Sequence, residues 1–226
     1  MSMIKVMICG EGPSDVGKTD YESQKWIPGP AVAFVEKAFA HDTTIIAISR
    51  QDLLHNHKHR LGRIRSKKGH AVKAERLAKL ARRQNCNIAI CYIDCDRNEF
   101  DSLYNDVILG FDRSETKIVG IPMLPKPMIE AWLMGDKNAY LQVLGKIPSK
   151  PSLPRKPEEL RGDKSNPSSN YAKNVLSRVI SQFSIKDDHW RYEIAIQSDP
   201  DTMSRICPIS YGRFLNDALT SLSLVL

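Results

Sequence analysis

Residues 87–96 read NIAICYIDCD: an unbroken apolar run that ends abruptly in acid, cysteine, acid. A strand with water on one face alternates polar and apolar side chains. A run with no alternation predicts a strand covered on both faces, as parallel sheets require. The same signature opens the chain. Residues 3–9, MIKVMIC, are apolar apart from Lys5, and after Gly10 they run into Glu11-Gly12-Pro13-Ser14-Asp15. Two buried strands, each with acids just past its carboxyl end, set the frame for everything between and after them.

Between them, 30–40 (PAVAFVEKAFA) reads as a helix with Pro30 near its start, and 43–49 (TTIIAIS) as a β-branched strand. Residues 69–84 form an amphipathic helix with Val72, Leu77, Leu80 and Ala81 on one stripe and basic residues opposite. A helix over 99–109 and a short strand over 117–122 follow. This alternation predicts an α/β fold: a mainly parallel, Rossmann-like four-stranded sheet flanked by helices. Beyond Pro125 the pattern becomes mostly helical. Helices are expected over 128–135, 137–144, 171–183 and 210–222, and a strand over 190–196 (WRYEIAI). Four prolines make 147–157 a loop. No repeat or clear boundary divides the chain, so one domain over 1–226 is expected, with a core over about 1–125 and a helical extension over about 126–226.

The 226 residues are 42% hydrophobic and 26% charged, with 12 Gly and 13 Pro. That composition can bury a core and excludes collagen-like or low-complexity chains. No apolar run reaches the roughly 18–20 residues of a membrane helix. Five cysteines without a Cys-x-x-Cys pair, and no export signal, predict reduced thiols and a cytoplasmic protein. The net charge of +7 is local. Residues 50–83 hold twelve Lys/Arg against Asp52 and Glu75, whereas the rest of the chain is slightly acidic. Clustered cations displace counterions from a nucleic-acid backbone, so DNA or RNA is the expected partner, contacted by Arg60, Arg63, Arg65, Lys67, Lys68 and Lys73. The alternative is a solvated helix face and basic loop.

Ligands of open parallel sheets bind outside the strands' carboxyl ends. Asp94 and Asp96, two residues apart, can share a cation while Cys95 turns inward. If the two acid-bearing strands are neighbours, Glu11 and Asp15 join them. Four converging carboxylates need a compensating cation, and all-oxygen ligation suits Mg²⁺ or Mn²⁺. The competing explanation is a turn or helix cap at each strand end.

These residues carry a resemblance. A strand followed by EGPSD (11–15), then a hydrophobic strand ending in DCD (94–96), resembles a TOPRIM domain. The Glu11-to-Asp15 spacing is similar to the OLD-family (overcoming lysogenization defect) nucleases and to small TOPRIM-like proteins of defence and mobile-element systems. Trp26-x-x-Gly29-Pro30, Glu130-Ala131-Trp132 and Lys173 on a late helix match the small proteins too. The resemblance spans roughly 1–180. It implies a metal-dependent nuclease with Asp15, Asp94, Asp96 and Glu130 as ligands, Glu11 as ligand or general acid/base, and Lys173 stabilising the transition state. A separate ATPase or defence-system partner is implied as well, since no ATPase domain is present.

Two alternatives stay open. Residues 12–19, GPSDVGKT, match the phosphate-loop pattern G-x-x-x-x-G-K-S/T, which with Asp94 suggests a nucleotide kinase or NTPase. Against it, Pro13 removes one N–H from the cradle, and TDYESQKW lacks the stripe of the helix such a loop needs. The other is a non-catalytic module that binds nucleic acid or a protein. The cluster His55-Asn56-His57-Lys58-His59 has no thiolates or spaced fourth ligand and reads as a basic loop rather than a zinc site.

Overall fold

Every strand of the main sheet is covered on both faces, and the layering follows from that. The computed structural model describes residues 3–10, 12–19, 25–39, 43–58, 69–185, 187 and 189–225, with 55–58 as backbone only. The elements of the first half are β1 (Ile4–Gly10), α1 (Pro13–Val16), β2 (Gly17–Thr19), β3 (Trp26–Pro28), α2 (Pro30–Phe39), β4 (Thr43–Ser49), α3 (Arg50–Lys58), α4 (His70–Arg83), β5 (Ile88–Tyr92), α5 (Phe100–Asp112) and β6 (Val119–Met123). The second half adds α6 (Ile129–Leu133), α7 (Lys137–Leu144), a 3-10 turn at Pro157–Glu159, α8 (Ala172–Ile180), α9 (Trp190–Gln197), α10 (Pro200–Ile206) and α11 (Tyr211–Val225).

The sheet is four-stranded and all-parallel, in the order β4-β1-β5-β6. The fold is therefore α/β and Rossmann-like with a helical C-terminal region. Side chains alternate between two cores. Val6, Ile8, Ile90 and Tyr92 face α2 and the C-terminal helices, whereas Met7, Cys9, Ala89 and Cys91 face α4 and α5. The C-terminal helices thus share the core of the sheet. Trp132 of α6 is fully buried there, edge-on to Phe34 at 5.3 Å and to Tyr211 at 5.1 Å. Each such aromatic pair adds about 0.5–1.5 kcal/mol beyond its buried area.

The chain leaves β1 for β4 on one side, then crosses to β5 on the other. Strand order reverses between β1 and β5, and their carboxyl ends lie side by side. That is the switch point at which open α/β sheets form a crevice.

Two local expectations are corrected, and one alternative loses its structural basis. Residues 190–196 are not a strand but lie in helix α9, packed along α2 and α7. Aromatic and branched side chains favour strands only where a sheet receives them; here burial of Ile194 and Ala195 between helices decides. The start of the basic block is helix α3, not a loop. Ser49 and Asp52 cap it reciprocally: the Ser49 N–H and hydroxyl both donate to Asp52 Oδ2 (3.0 and 2.7 Å), and the Asp52 N–H donates to Ser49 Oγ (3.2 Å). Finally, Gly17-Lys18-Thr19 is strand β2, antiparallel to β3, so no helix begins at Lys18 as a phosphate loop demands. Among the described residues, no helix is long and apolar enough to cross a membrane. All five cysteines are free and buried.

Candidate functional site

Past the end of β5 the ladder with the β6 segment continues. The N–H groups of Ile93, Cys95 and Asp96 donate to the carbonyls of Met123 (3.0 Å), Pro125 (3.0 Å) and Pro127 (2.7 Å). This pairing fixes the DCD segment. Cys95 points inward, fully buried, with Sγ 3.5 Å from the Leu124 carbonyl oxygen. Asp94 Oδ1 accepts from the buried Tyr92 hydroxyl (2.8 Å) and the Ile129 N–H (3.0 Å). Asp96 takes a left-handed conformation (φ 49°) and is exposed, so it ends the strand segment as a turn.

Glu130 reaches the same crevice from α6. It is only 6% exposed, because its neighbour Trp132 anchors the helix in the core and donates Nε1–H to Ser210 Oγ (2.7 Å). Glu130 Oε1 accepts from Arg191 Nη2 at 3.0 Å and lies 4.0 Å from Lys173 Nζ. Arg191 Nη2 is also 3.7 Å from Asp15 Oδ1. Asp15 is held there by a close approach. A Cβ on Gly29, just before α2, would lie 2.3 Å from the Asp15 carbonyl oxygen, so only glycine lets the β1 loop seat against α2. This is a physical reason for the Gly in Trp26-x-x-Gly29-Pro30.

The structure thus brings Asp15, Asp94, Glu130 and Lys173 to one crevice and adds Arg191, which sequence reasoning did not single out. Three carboxylates face two cations, and the electrostatics show the imbalance. Burial pushes the Asp94 carboxyl up to about 7, with Asp15 and Glu130 adding to the rise and the hydrogen bonds from Tyr92 and Ile129 opposing it. Burial also raises Glu130, against the pull of Arg191 and Lys173. Lys173, half exposed, loses some basicity to burial but is held above its usual range by Glu130, Asp94 and Asp15. Glu130 Oε2 is buried with no hydrogen-bond partner among the described residues. An orphaned carboxylate oxygen inside an all-oxygen acid set matches the chemistry of a hard divalent cation. Among the described residues, no group of three His, Cys, Asp or Glu is arranged to hold a metal ion.

The other predicted residues fall elsewhere. Asp96 lines an adjoining cleft. Lys73, on α4, donates Nζ–H to the Tyr92 carbonyl oxygen (2.9 Å), so it braces β5 beneath the acids. Glu11, Arg60, Arg63, Arg65, Lys67 and Lys68 lie outside the described residues. No protein-family model, curated protein or solved structure matches this chain.

Proposed function

We propose that this chain is a Mg²⁺- or Mn²⁺-dependent phosphodiesterase that cuts nucleic acid at the β1/β5 switch point. The observation that carries the reading is that Asp94 lies within the field of Asp15 and Glu130, and that one buried carboxylate oxygen of Glu130 has no partner among the described residues. Asp94, Glu130 and Asp15 would hold the metal, and Asp96 lines the adjoining cleft. A divalent ion bound there supplies Lewis-acid stabilisation of phosphate charge and an activated water. Tyr92 and the Ile129 N–H hold Asp94 in one orientation through Oδ1, leaving its other oxygen for the crevice. Lys173, half exposed at the mouth, places a positive charge where a phosphate oxygen develops negative charge. Arg191 neutralises Glu130 and Asp15. The basic segment of residues 50–83 would hold the backbone without reading sequence.

A second reading rests on one observation: Arg191 already pairs with Glu130 and Asp15. The acids would then be structural, and the chain a non-catalytic nucleic-acid or partner-binding module. End-labelled single- and double-stranded DNA and RNA, incubated with Mg²⁺, Mn²⁺ or chelator, separate the two. Metal-dependent cleavage lost in Asp94→Asn supports the enzyme. Binding without cleavage under every metal supports the module.

A further inference from the structure

A cleft of about 690 Å³ adjoins the acids at Asp96 and has a wall of cations. Arg97 and Lys126 come from the segments after β5 and β6, and Arg161 and Lys164 from the loop that enters α8. None of the four makes an ion pair among the described residues. The acids lining the cleft are Asp96 and Glu158. Glu158 is already engaged: its carboxylate accepts from the N–H groups of Ile209 (3.0 Å) and Ser210 (2.7 Å) and from the Ser210 hydroxyl. Asp163 sits within electrostatic reach of Arg97, and its carboxylate is bound by the Ser165 N–H and hydroxyl. The cleft therefore keeps a positive surplus.

The loop that forms one wall is built, not slack. Asn174 Nδ2 of α8 donates to the carbonyls of Lys164 (3.3 Å) and Asn166 (2.7 Å). The Ser169 hydroxyl donates to the Asp163 carbonyl (2.6 Å), and Arg178 donates to that of Pro167. Gly162 lies so close to the returning chain that a Cβ there would be 2.4 Å from the Tyr171 nitrogen. Two cationic side chains are thus presented from a pinned backbone. Tyr171, half-buried, supplies an aromatic wall beside Leu160, Pro127 and Met128. It lies within the field of Lys173, Asp96, Glu130 and Asp94, so the cleft neighbours the acids.

We infer that this cleft is a nucleotide subsite, holding one nucleotide of a single strand with its phosphate against Arg97, Arg161 and Lys164 and its base against Tyr171. Cations with spare donors match phosphate, and a half-buried ring beside apolar walls matches the face of a base. The assignment rests on the phosphodiesterase reading only for what happens next to the strand; the binding stands alone.

The test is fluorescence anisotropy with labelled four-nucleotide oligothymidylate and oligouridylate in chelator, so that no cleavage occurs. Arg161→Glu/Lys164→Glu is expected to weaken binding at least tenfold, and Arg97→Glu, from the segment after β5, to do likewise. Tyr171→Leu, which keeps apolar volume without the ring, is expected to cost about tenfold. Arg113→Glu/Lys117→Glu, exposed ahead of β6 and outside both the cleft and the basic segment 50–83, serves as the control and leaves affinity within about twofold. The deoxy and ribo probes tell whether the 2′-hydroxyl is read. No binding to either probe, equal losses in the control, or inorganic phosphate competing as strongly as the tetramer would overturn the subsite. Cleft-dependent binding with no cleavage under any metal would keep the subsite and remove the phosphodiesterase.

Discussion

Arg191 Nη2 lies 3.0 Å from Glu130 Oε1, tying α9 to α6 across 61 residues of sequence at the mouth of the acid crevice. Both side chains are largely withdrawn from water, so each depends on the other. A buried pair is costly to assemble, and removing one partner leaves an uncompensated charge. Arg191→Met should therefore destabilise the fold by about 2–4 kcal/mol. The double variant Arg191→Met/Glu130→Met should recover most of that loss. Urea unfolding of the four proteins in the cycle measures the coupling. Additive single losses would mean that the pair contributes nothing.

The pH dependence of stability reports on Asp94. Its folded carboxyl titrates near 7 against an ordinary 3.8, so the folded state holds this proton more tightly than the unfolded chain. Asp94 therefore contributes stability that is fully present below about pH 4, falls as pH rises toward 7, and is gone above it. Asp94→Asn keeps an oxygen for Tyr92 and Ile129 and removes the titration. The variant should gain on the parent protein between pH 4 and pH 8, by on the order of 4 kcal/mol. Thermal melts at intervals of one pH unit check the slope. A parallel pair of profiles would mean that Asp94 titrates normally.

Gly29→Ala tests how the first loop is seated. The new Cβ would meet the Asp15 carbonyl oxygen at 2.3 Å, backbone against backbone, with no flexible side chain to yield. Overpacking of this kind costs about 1–3 kcal/mol. The variant should melt lower than the parent protein, and any gain in melting temperature on adding Mn²⁺ should shrink with it. An unshifted melt would show that the loop and α2 can separate freely.

The strand framework was legible because parallel strands leave a blunt mark. The runs at 3–9 and 87–93 have no alternation, since both faces are covered. The strand-end acids followed from the same runs. Tyr92 was legible in principle, standing two residues before Asp94 on a pleated segment. Arg191 was not. It sits on a segment whose Trp, Tyr and Ile content favours a strand, and only packing between α2 and α7 makes it a helix. No spacing rule links it to Glu130. The cationic loop at 161–164 was hidden for a different reason. Arg161 and Lys164 are interleaved with Glu158, Glu159 and Asp163, so local charge nearly cancels in sequence and separates only in three dimensions. Lys73 read as one of the nucleic-acid contacts of the basic block, yet its ammonium donates to the Tyr92 carbonyl.

That division bears on nucleic-acid binding. Arg63→Ala/Arg65→Ala/Lys67→Ala/Lys68→Ala should flatten the log–log salt dependence of duplex affinity by up to about 0.9 for each phosphate no longer neutralised. Lys73→Ala should leave the slope alone and instead cost about 1.5–3 kcal/mol of stability, the value of a hydrogen bond made by a charged group. Filter binding across a range of salt, with urea melts in parallel, separates the two. An unchanged slope in the quadruple variant would leave the positive charge as a solvated or protein-facing surface.

The acid crevice as a hard-cation site is tested most directly by anomalous diffraction at the manganese edge from crystals grown in Mn²⁺. The account predicts a peak within about 2.2 Å of carboxylate oxygens of Asp94 and Glu130, close to ordinary hard-cation distances. It also predicts that the peak is absent in Asp94→Asn crystals grown the same way. Saturating Mn²⁺ with no peak in the crevice, and Arg191 still 3.0 Å from Glu130, would contradict it.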